Sequence, residues 1–142
     1  MPNANQDDNQ EIRALIRRWA AAVHAGDLDT VVADHADQIV MFDVPPPHDG
    51  VRGIAAYCDT WPGFFEWQAA GAVFEIVELA VTSGADVAFA HALLRCGMPE
   101  ELERAPEARL RLTLGLRRED GRWVVAHEHH SFADVSALPE PG

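Results

Sequence analysis

From residue 109 to 118 the chain alternates with a period of two. Leu110, Leu112, Leu114 and Leu116 fall on one side, and Arg109, Arg111, Thr113, Gly115 and Arg117 on the other. Successive side chains of a strand point to opposite faces, so this pattern demands a strand with one dry face. Asp120-Gly121 follows as a turn signal, and residues 122–131 form another β-rich run, which completes a hairpin. Residues 73–82 and 86–96 precede it with the same character, separated by Ser83-Gly84-Ala85 and by a loop over residues 97–106. The second half of the chain therefore reads as an antiparallel meander.

The first half reads as helices. Asp8 and Glu11 have capping-box spacing, and Ile12, Leu15, Ile16, Trp19, Ala20 and Val23 recur at helical intervals until Gly26. A short second helix follows Asp27, with Val31 and Val32 inward and Asp34, His35 and Asp37 toward water. Residues 39–44 read as a short strand that Pro45, Pro46 and Pro47 terminate, since proline cannot donate to a ladder. Residues 52–65 form the third helix, with Ile54, Tyr57, Cys58 and Trp61 on one side and a break near Pro62-Gly63. Helices followed by a meander make an α+β domain. Its expected extent is residues 11–135, with a flexible polar N-terminus (1–10) and a flexible Pro-rich tail (136–142).

With 142 residues, 48% of them apolar, the chain can bury one core. Its formal charge is -12 and every basic residue is arginine, which argues against nucleic acid and against an anionic membrane as partners. No apolar run approaches the roughly 18 residues that span a bilayer, and residues 1–10, polar and acidic, are not expected to act as a signal sequence. The expected location is cytoplasmic. Cys58 and Cys96 are too few and too far apart for a disulfide framework or a thiolate zinc site, so both are expected as reduced thiols.

The last strand concentrates titratable groups. Trp123, Val125, His127, His129 and Ser131 share one face, and Val124, Ala126, Glu128 and His130 the other. The turn decides which set joins the leucines. A three-residue loop, Glu119-Asp120-Gly121, puts Leu114 opposite Ala126 and Leu110 opposite His130, bringing Glu128 and His130 to the leucine face; a two-residue Asp-Gly turn brings His127 and His129 there instead. The first register is preferred. His127 and His129 have the spacing of two metal ligands but no third ligand accompanies them, so no metal is expected. Asp43 ends a strand among apolar residues, where loss of water would raise its pKa toward that of a general base; alternatively it only accepts backbone hydrogen bonds near the proline turn. Trp19, Trp61 and Trp123 read as core residues before they read as a ligand-stacking box. Arg109, Arg111 and Arg117 read as a solvated or interfacial stripe that Glu75 or Glu78 could balance.

Several segments, in order, resemble the nuclear transport factor 2-like (NTF2-like) or SnoaL-like proteins, which include ketosteroid isomerase and the polyketide cyclases. They are His24-Ala25-Gly26-Asp27-Leu28-Asp29, Met41-Phe42-Asp43-Val44-Pro45, Val51-Arg52-Gly53, Asp86-Val87-Ala88-Phe89-Ala90-His91, Leu114-Gly115-Leu116 with Gly121-Arg122-Trp123, and His127-Glu128-His129-His130-Ser131. The resemblance covers most of the chain. It implies a cystatin-like cone of three N-terminal helices on a strongly curved antiparallel sheet, a pocket between them, and commonly a homodimer through the convex face. The last strand is similar to that of the calmodulin-dependent kinase association domain, where the residues matching His91 and His130 are pocket arginines. By that resemblance Val87, Phe89 and Leu93 join the pocket wall, while Ala88, Ala90 and Ala92 form a flat convex face suited to subunit packing. Asp43 matches the catalytic base of ketosteroid isomerase. The chain departs from that enzyme where Trp19 stands for its oxyanion tyrosine and Leu114 for its protonated aspartate, so a steroid isomerase is not expected.

Two functions follow from these readings. One is an enzyme without a cofactor, performing isomerisation, cyclisation or dehydration on a small hydrophobic carbonyl compound. Asp43 is then the base and His91 or His130 the acid or oxyanion donor, with Trp19, Tyr57, Trp61, Phe89, Leu112, Leu114 and Glu128 around the ligand. The other is a non-catalytic domain for ligand binding or dimerisation. Four ionisable groups at one pocket, Asp43, His91, Glu128 and His130, exceed what a passive apolar pocket needs and favour the enzyme.

Overall fold

A computed structural model describes residues 4–135. Its helical part comes first, with α1 (Ala4–Ala25) and α2 (Leu28–Val32), then β1 (His35–Phe42), β2 (Val51–Arg52), α3 (Ile54–Asp59) and α4 (Trp61–Ala69). The sheet continues with β3 (Val73–Ser83), β4 (Val87–Gly97), β5 (Leu110–Glu119) and β6 (Arg122–Phe132), and α5 (Pro99–Arg104) lies in the β4–β5 connection. The α+β class expected from the sequence is the class observed. Among the described residues no helix is long and apolar enough to cross a membrane.

The helical stripe of α1 is buried as its spacing requires, with Ile12, Ile16 and Val23 at 0% exposure, and the helix packs on β3, α2 and α4. Its start differs from expectation. The helix is already formed at Ala4, so the segment expected to be flexible is helical from there, and Asp8 lies inside the helix. The Asp8 carboxylate accepts from Arg118 Nη2 at 2.6 Å and from Trp123 Nε1 at 3.4 Å, tertiary bonds that replace the local cap. The expected tail, 136–142, falls outside the described residues.

The predicted third helix is two helices. They part at Thr60, whose hydroxyl donates to the Tyr57 carbonyl at 2.7 Å, and Pro62 occupies the first turn of α4, where a missing N–H is harmless. The Tyr57 ring, in α3 before the break, is fully buried.

The strand order is β2-β1-β6-β5-β4-β3. All neighbours are antiparallel except β1 and β6, which run parallel, so the expected purely antiparallel sheet is mixed at that seam. The seam also extends β1 back to His35, which is buried rather than facing water as the sequence suggested.

The β5–β6 hairpin reaches the expected face by an unexpected route. Glu119 pairs with Arg122 across a two-residue turn, in which Asp120 (φ 52°) and Gly121 (φ 80°) both take the left-handed conformation. That register alone would send His127 and His129 to the leucine side. A bulge intervenes: Leu116 pairs with Val125 and Gly115 with His127, leaving Ala126 as the extra residue. Beyond it Leu114 faces Glu128 and Leu112 faces His130.

The faces of β4 are the reverse of those implied by the resemblance. Ala88, Ala90, Ala92 and Leu94 pair with Leu116, Leu114, Leu112 and Leu110, so they share the inner face and are buried. Val87, Phe89 and His91 consequently stand on the outer face, with Val87 64% and Phe89 51% exposed. The small alanines leave room for the leucine row beneath the helices. Leu114, 2% exposed, sits at the centre of this layer between Ala90 and Glu128. Leu114→Ala should therefore lower unfolding stability by about 2–5 kcal/mol through lost burial and a residual cavity, read from urea denaturation midpoints.

Candidate functional site

The inner face of β6 carries a carboxylate that is completely buried. Glu128 has 0% exposure, and an ionised group there must be matched by donors. Three reach it from three elements. His130 Nε2 lies 2.9 Å from Oε1, while the Tyr57 hydroxyl of α3 donates to Oε2 at 2.6 Å and His35 Nε2 of β1 lies 2.8 Å from the same oxygen. A fourth element adds support, since Trp19 Nε1 of α1 donates to the Tyr57 oxygen at 3.2 Å. His35 Nε2 is also 3.1 Å from that oxygen.

His130 opens this network onto a mostly apolar cavity. A pocket of about 340 Å³ is lined by Asp43, Val44, Pro45, Thr60, Trp61, Gly63, Phe64, Trp67, Phe74, Cys96, Leu110, His130 and Phe132. Its walls are aromatic and aliphatic, and its volume lies at the small end of the range for organic ligands, about 300–1,000 Å³. Asp43 follows β1 directly and enters the same space. Its Oδ1 lies 3.8 Å from His130 Nδ1 and accepts from the Val44 N–H at 2.8 Å, so it serves both the site and the proline turn. The Trp19 ring stands edge-on to the imidazole of His130, with centroids 6.4 Å apart.

Burial alone would raise the Glu128 pKa, but the hydrogen bonds from His130 and His35, with the positive charge of protonated imidazole, bring it down to about 2. Burial opposes a charge on His130 too. There the hydrogen bond and charge of Glu128, joined by the charge of Asp43, outweigh it and hold His130 above its usual value. Tyr57 is pushed well above the ordinary phenol value by burial and by Glu128, so its proton stays on the hydroxyl. Burial, with Asp43 and Glu101 nearby, raises Cys96 to about 12, which keeps it a neutral thiol.

Of the residues expected at the site, Asp43, His130 and Trp61 line the pocket. Tyr57, Glu128 and Trp19 stand behind it as the support of His130. Leu112 and Leu114 are buried in the sheet beneath, and Leu110 is the leucine that reaches the cavity. His91 and Phe89 are corrected: both leave from the outer face and take no part. His127 and His129 share that face, where His127 Nδ1 lies 2.7 Å from the Val40 carbonyl oxygen. Among the described residues no group of three or more His, Cys, Asp or Glu side chains could hold a metal ion. Sequence reasoning missed His35, which carries no local signal because its burial depends on a strand 90 residues away. It also missed Phe64, Trp67, Phe74 and Phe132, although the run Trp61-Pro62-Gly63-Phe64-Phe65-Glu66-Trp67 is aromatic enough to have drawn notice.

Comparison with known proteins agrees with this architecture. A family model described as a SnoaL-like domain matches residues 12–135. Among solved structures, an NTF2-like protein of unknown function from Pseudomonas putida KT2440 is 35% identical, with a TM-score of 0.77 over 91% of this chain and 89% of that one. An NTF2-like protein with a cystatin-like fold from Novosphingobium aromaticivorans is 20% identical, with a TM-score of 0.69 over 90% of this chain and 83% of that one. A ketosteroid isomerase-like protein from Erwinia carotovora atroseptica SCRI1043 is 18% identical, with a TM-score of 0.65 over 89% and 97% respectively. The last two likenesses concern the fold alone. No curated protein matches the chain.

The buried pair gives stability a defined pH dependence. Glu128 is depressed, so its contribution is present above its ordinary value of 4.5 and is lost as pH falls toward about 2. His130 is raised, so its contribution is complete below 6.5 and is lost as pH rises through its higher folded value. Thermal melting should thus show the pair's full support between pH 4.5 and 6.5, declining on both sides. In Glu128→Gln the melting temperature should drop within that window, and the difference from wild type should shrink toward both extremes.

Proposed function

The chain belongs to the SnoaL-like domain family, and from that premise we propose that it is an enzyme of cofactor-free acid/base chemistry acting on a small hydrophobic carbonyl compound. The observation that carries this reading is the meeting of Asp43 and His130, 3.8 Å apart, at the polar end of an otherwise aromatic pocket. A neutral substrate places its apolar body against Trp61, Phe64 and Phe74 and its carbonyl oxygen at His130. The Asp43 carboxylate removes a proton from the carbon beside the carbonyl. The C–H electron pair becomes the C=C bond of an enol, and the carbonyl π pair moves to oxygen, which receives the Nδ1 proton of the His130 imidazolium. Return of the proton to another carbon gives isomerisation, attack by the enol carbon gives cyclisation, and loss of a β-hydroxyl gives dehydration.

The partners of Tyr57 and Trp19 set this site apart from that of ketosteroid isomerase. Tyr57 spends its proton on Glu128, and Trp19 spends its N–H on Tyr57, so neither is available to an oxyanion. His130 remains as the donor, and its charge state sets the basic limb of activity. Turnover should fall as pH rises through the raised pKa of His130. A non-catalytic ligand-binding domain is the alternative, and the same measurements separate the two. Carbonyl compounds that raise the melting temperature identify ligands, and wild type is then assayed for their conversion. Asp43→Asn should retain the fold and the binding of a substrate while losing about two to four decades in rate. Ligands that bind without ever being converted leave the binding domain as the better reading.

We propose in addition that two copies associate through the outer sheet face, where Phe42, Val87 and Phe89 are 38%, 64% and 51% exposed. Several large apolar side chains on one face favour a covered surface. Sedimentation at micromolar concentration should give a dimer, and Phe89→Glu should give a monomer with unchanged thermal unfolding at low concentration. A wild-type monomer removes the proposal.

A further inference from the structure

Glu128 holds two imidazoles, and their far nitrogens face different surroundings. His35 Nε2 contacts Glu128 Oε2 and the Tyr57 oxygen, and the single proton of Tyr57 is already donated to Glu128. Neither oxygen has a proton to give, so His35 Nε2 must be an N–H. His35 is thereby fixed as a donor through Nε2. Among the described residues its Nδ1 has no hydrogen-bond partner, and the side chain is 1% exposed. His130 differs because its Nδ1 looks toward Asp43 and the pocket.

We propose that His35 is a positioning residue which, by donating to Oε2 of Glu128 together with Tyr57, weakens the carboxylate's hold on the His130 proton and makes His130 a readier acid toward the substrate. The proposal rests on the acid role given to His130 above. Its physical basis is that a donor on Oε2 stabilises the bare carboxylate more than a carboxylate already neutralised by imidazolium. Each such donor therefore lowers the proton affinity of the Glu128–His130 pair, and removing one raises it. General acids work best when that affinity lies near the working pH.

The charged and titratable surroundings do not supply the effect otherwise. His130 is faced by Glu128 of its own strand, by Asp43 after β1, by the Trp19 ring of α1 and, across the pocket, by Cys96 of β4 as a neutral thiol. The far side of His35 borders a groove with Asp37 of β1, Glu119 of β5, Asp120 of the turn and Arg122 of β6. These groups have opposing signs, and none of them is hydrogen-bonded to Nδ1.

The test uses two-bond ¹H–¹⁵N spectra of the imidazoles in the labelled full chain without substrate, so its failure is separable from failure of the enzyme reading. In wild type, His35 should keep a proton on Nε2 through the whole range in which His130 titrates. In His35→Leu the His130 midpoint should move upward by about one pH unit, the effect of one donor lost from a charged group. His35→Gln, whose amide can restore the donor, should bring it back toward wild type. Tyr57→Phe removes the other Oε2 donor and should also move it upward, which keeps the test decisive if His35→Leu does not fold. A His35 whose Nε2 carries no proton in wild type overturns the proposal. So does a His130 midpoint that stays put or moves downward in the folded variants. Where turnover is measurable, the basic limb of kcat/KM should move with the His130 midpoint.

Discussion

A fully buried carboxylate on β6 organises this molecule. Leaving Glu128 ionised without partners would cost several kcal/mol even after the surrounding protein relaxes, so the fold must deliver donors to it from whatever elements can reach. It does so from every side: His35 from β1, Tyr57 from α3, Trp19 from α1 through Tyr57, and His130 from β6 itself. Each donor depends on one structural decision. His35 needs the parallel seam between β1 and β6, and Tyr57 needs α3 packed against β1. His130 needs the bulge that leaves Ala126 unpaired.

That bulge is the most economical of the three. Strand alternation ties the face of every later residue to the register of the turn, and a two-residue turn commits β6 to present His127 and His129 to the core. One inserted residue reverses the commitment for the rest of the strand. Trp123 and Val125 before the bulge and Glu128 and His130 after it all reach the inner face. A single strand can then supply both a core anchor, Trp123 against Arg118 and Asp8, and the site's charged pair.

The legible parts of the sequence were those whose cause is local. The leucine alternation on β5, the stripe on α1 and the Asp27 start of α2 all rest on spacing within a few residues, and each is present as read. Glu128 and His130 were placed on the correct face through an incorrect turn, because the three-residue loop assumed and the actual two-residue turn with a bulge have the same effect on parity. His91 and Phe89 were misplaced because the faces of β4 follow from its pairing with β5, which no periodicity within β4 reveals; its alternation of alanine with larger residues fits either orientation. His35 was assigned to solvent for a similar reason. Its neighbours Asp34 and Asp37 are polar, and only the distant β6 makes burial of an imidazole at that position favourable.

The apolar walls and the buried charge answer different requirements, and this favours chemistry over storage. A pocket lined by Trp61, Phe64, Trp67, Phe74 and Phe132 could hold a hydrophobic ligand by burial alone, and a leucine in place of Glu128 would free His35, Tyr57 and His130 from serving it. Buried ion pairs of this kind are often no more stable than hydrophobic replacements of similar volume. Stability therefore does not explain the network. What it supplies is an imidazole held in one orientation with its Nε2 occupied and its Nδ1 directed at the carboxylate of Asp43, on the boundary between a dry wall and a cavity. In such a boundary one oriented proton donor meets whatever acceptor a ligand brings into the cavity, which is what the proposed acid/base chemistry requires.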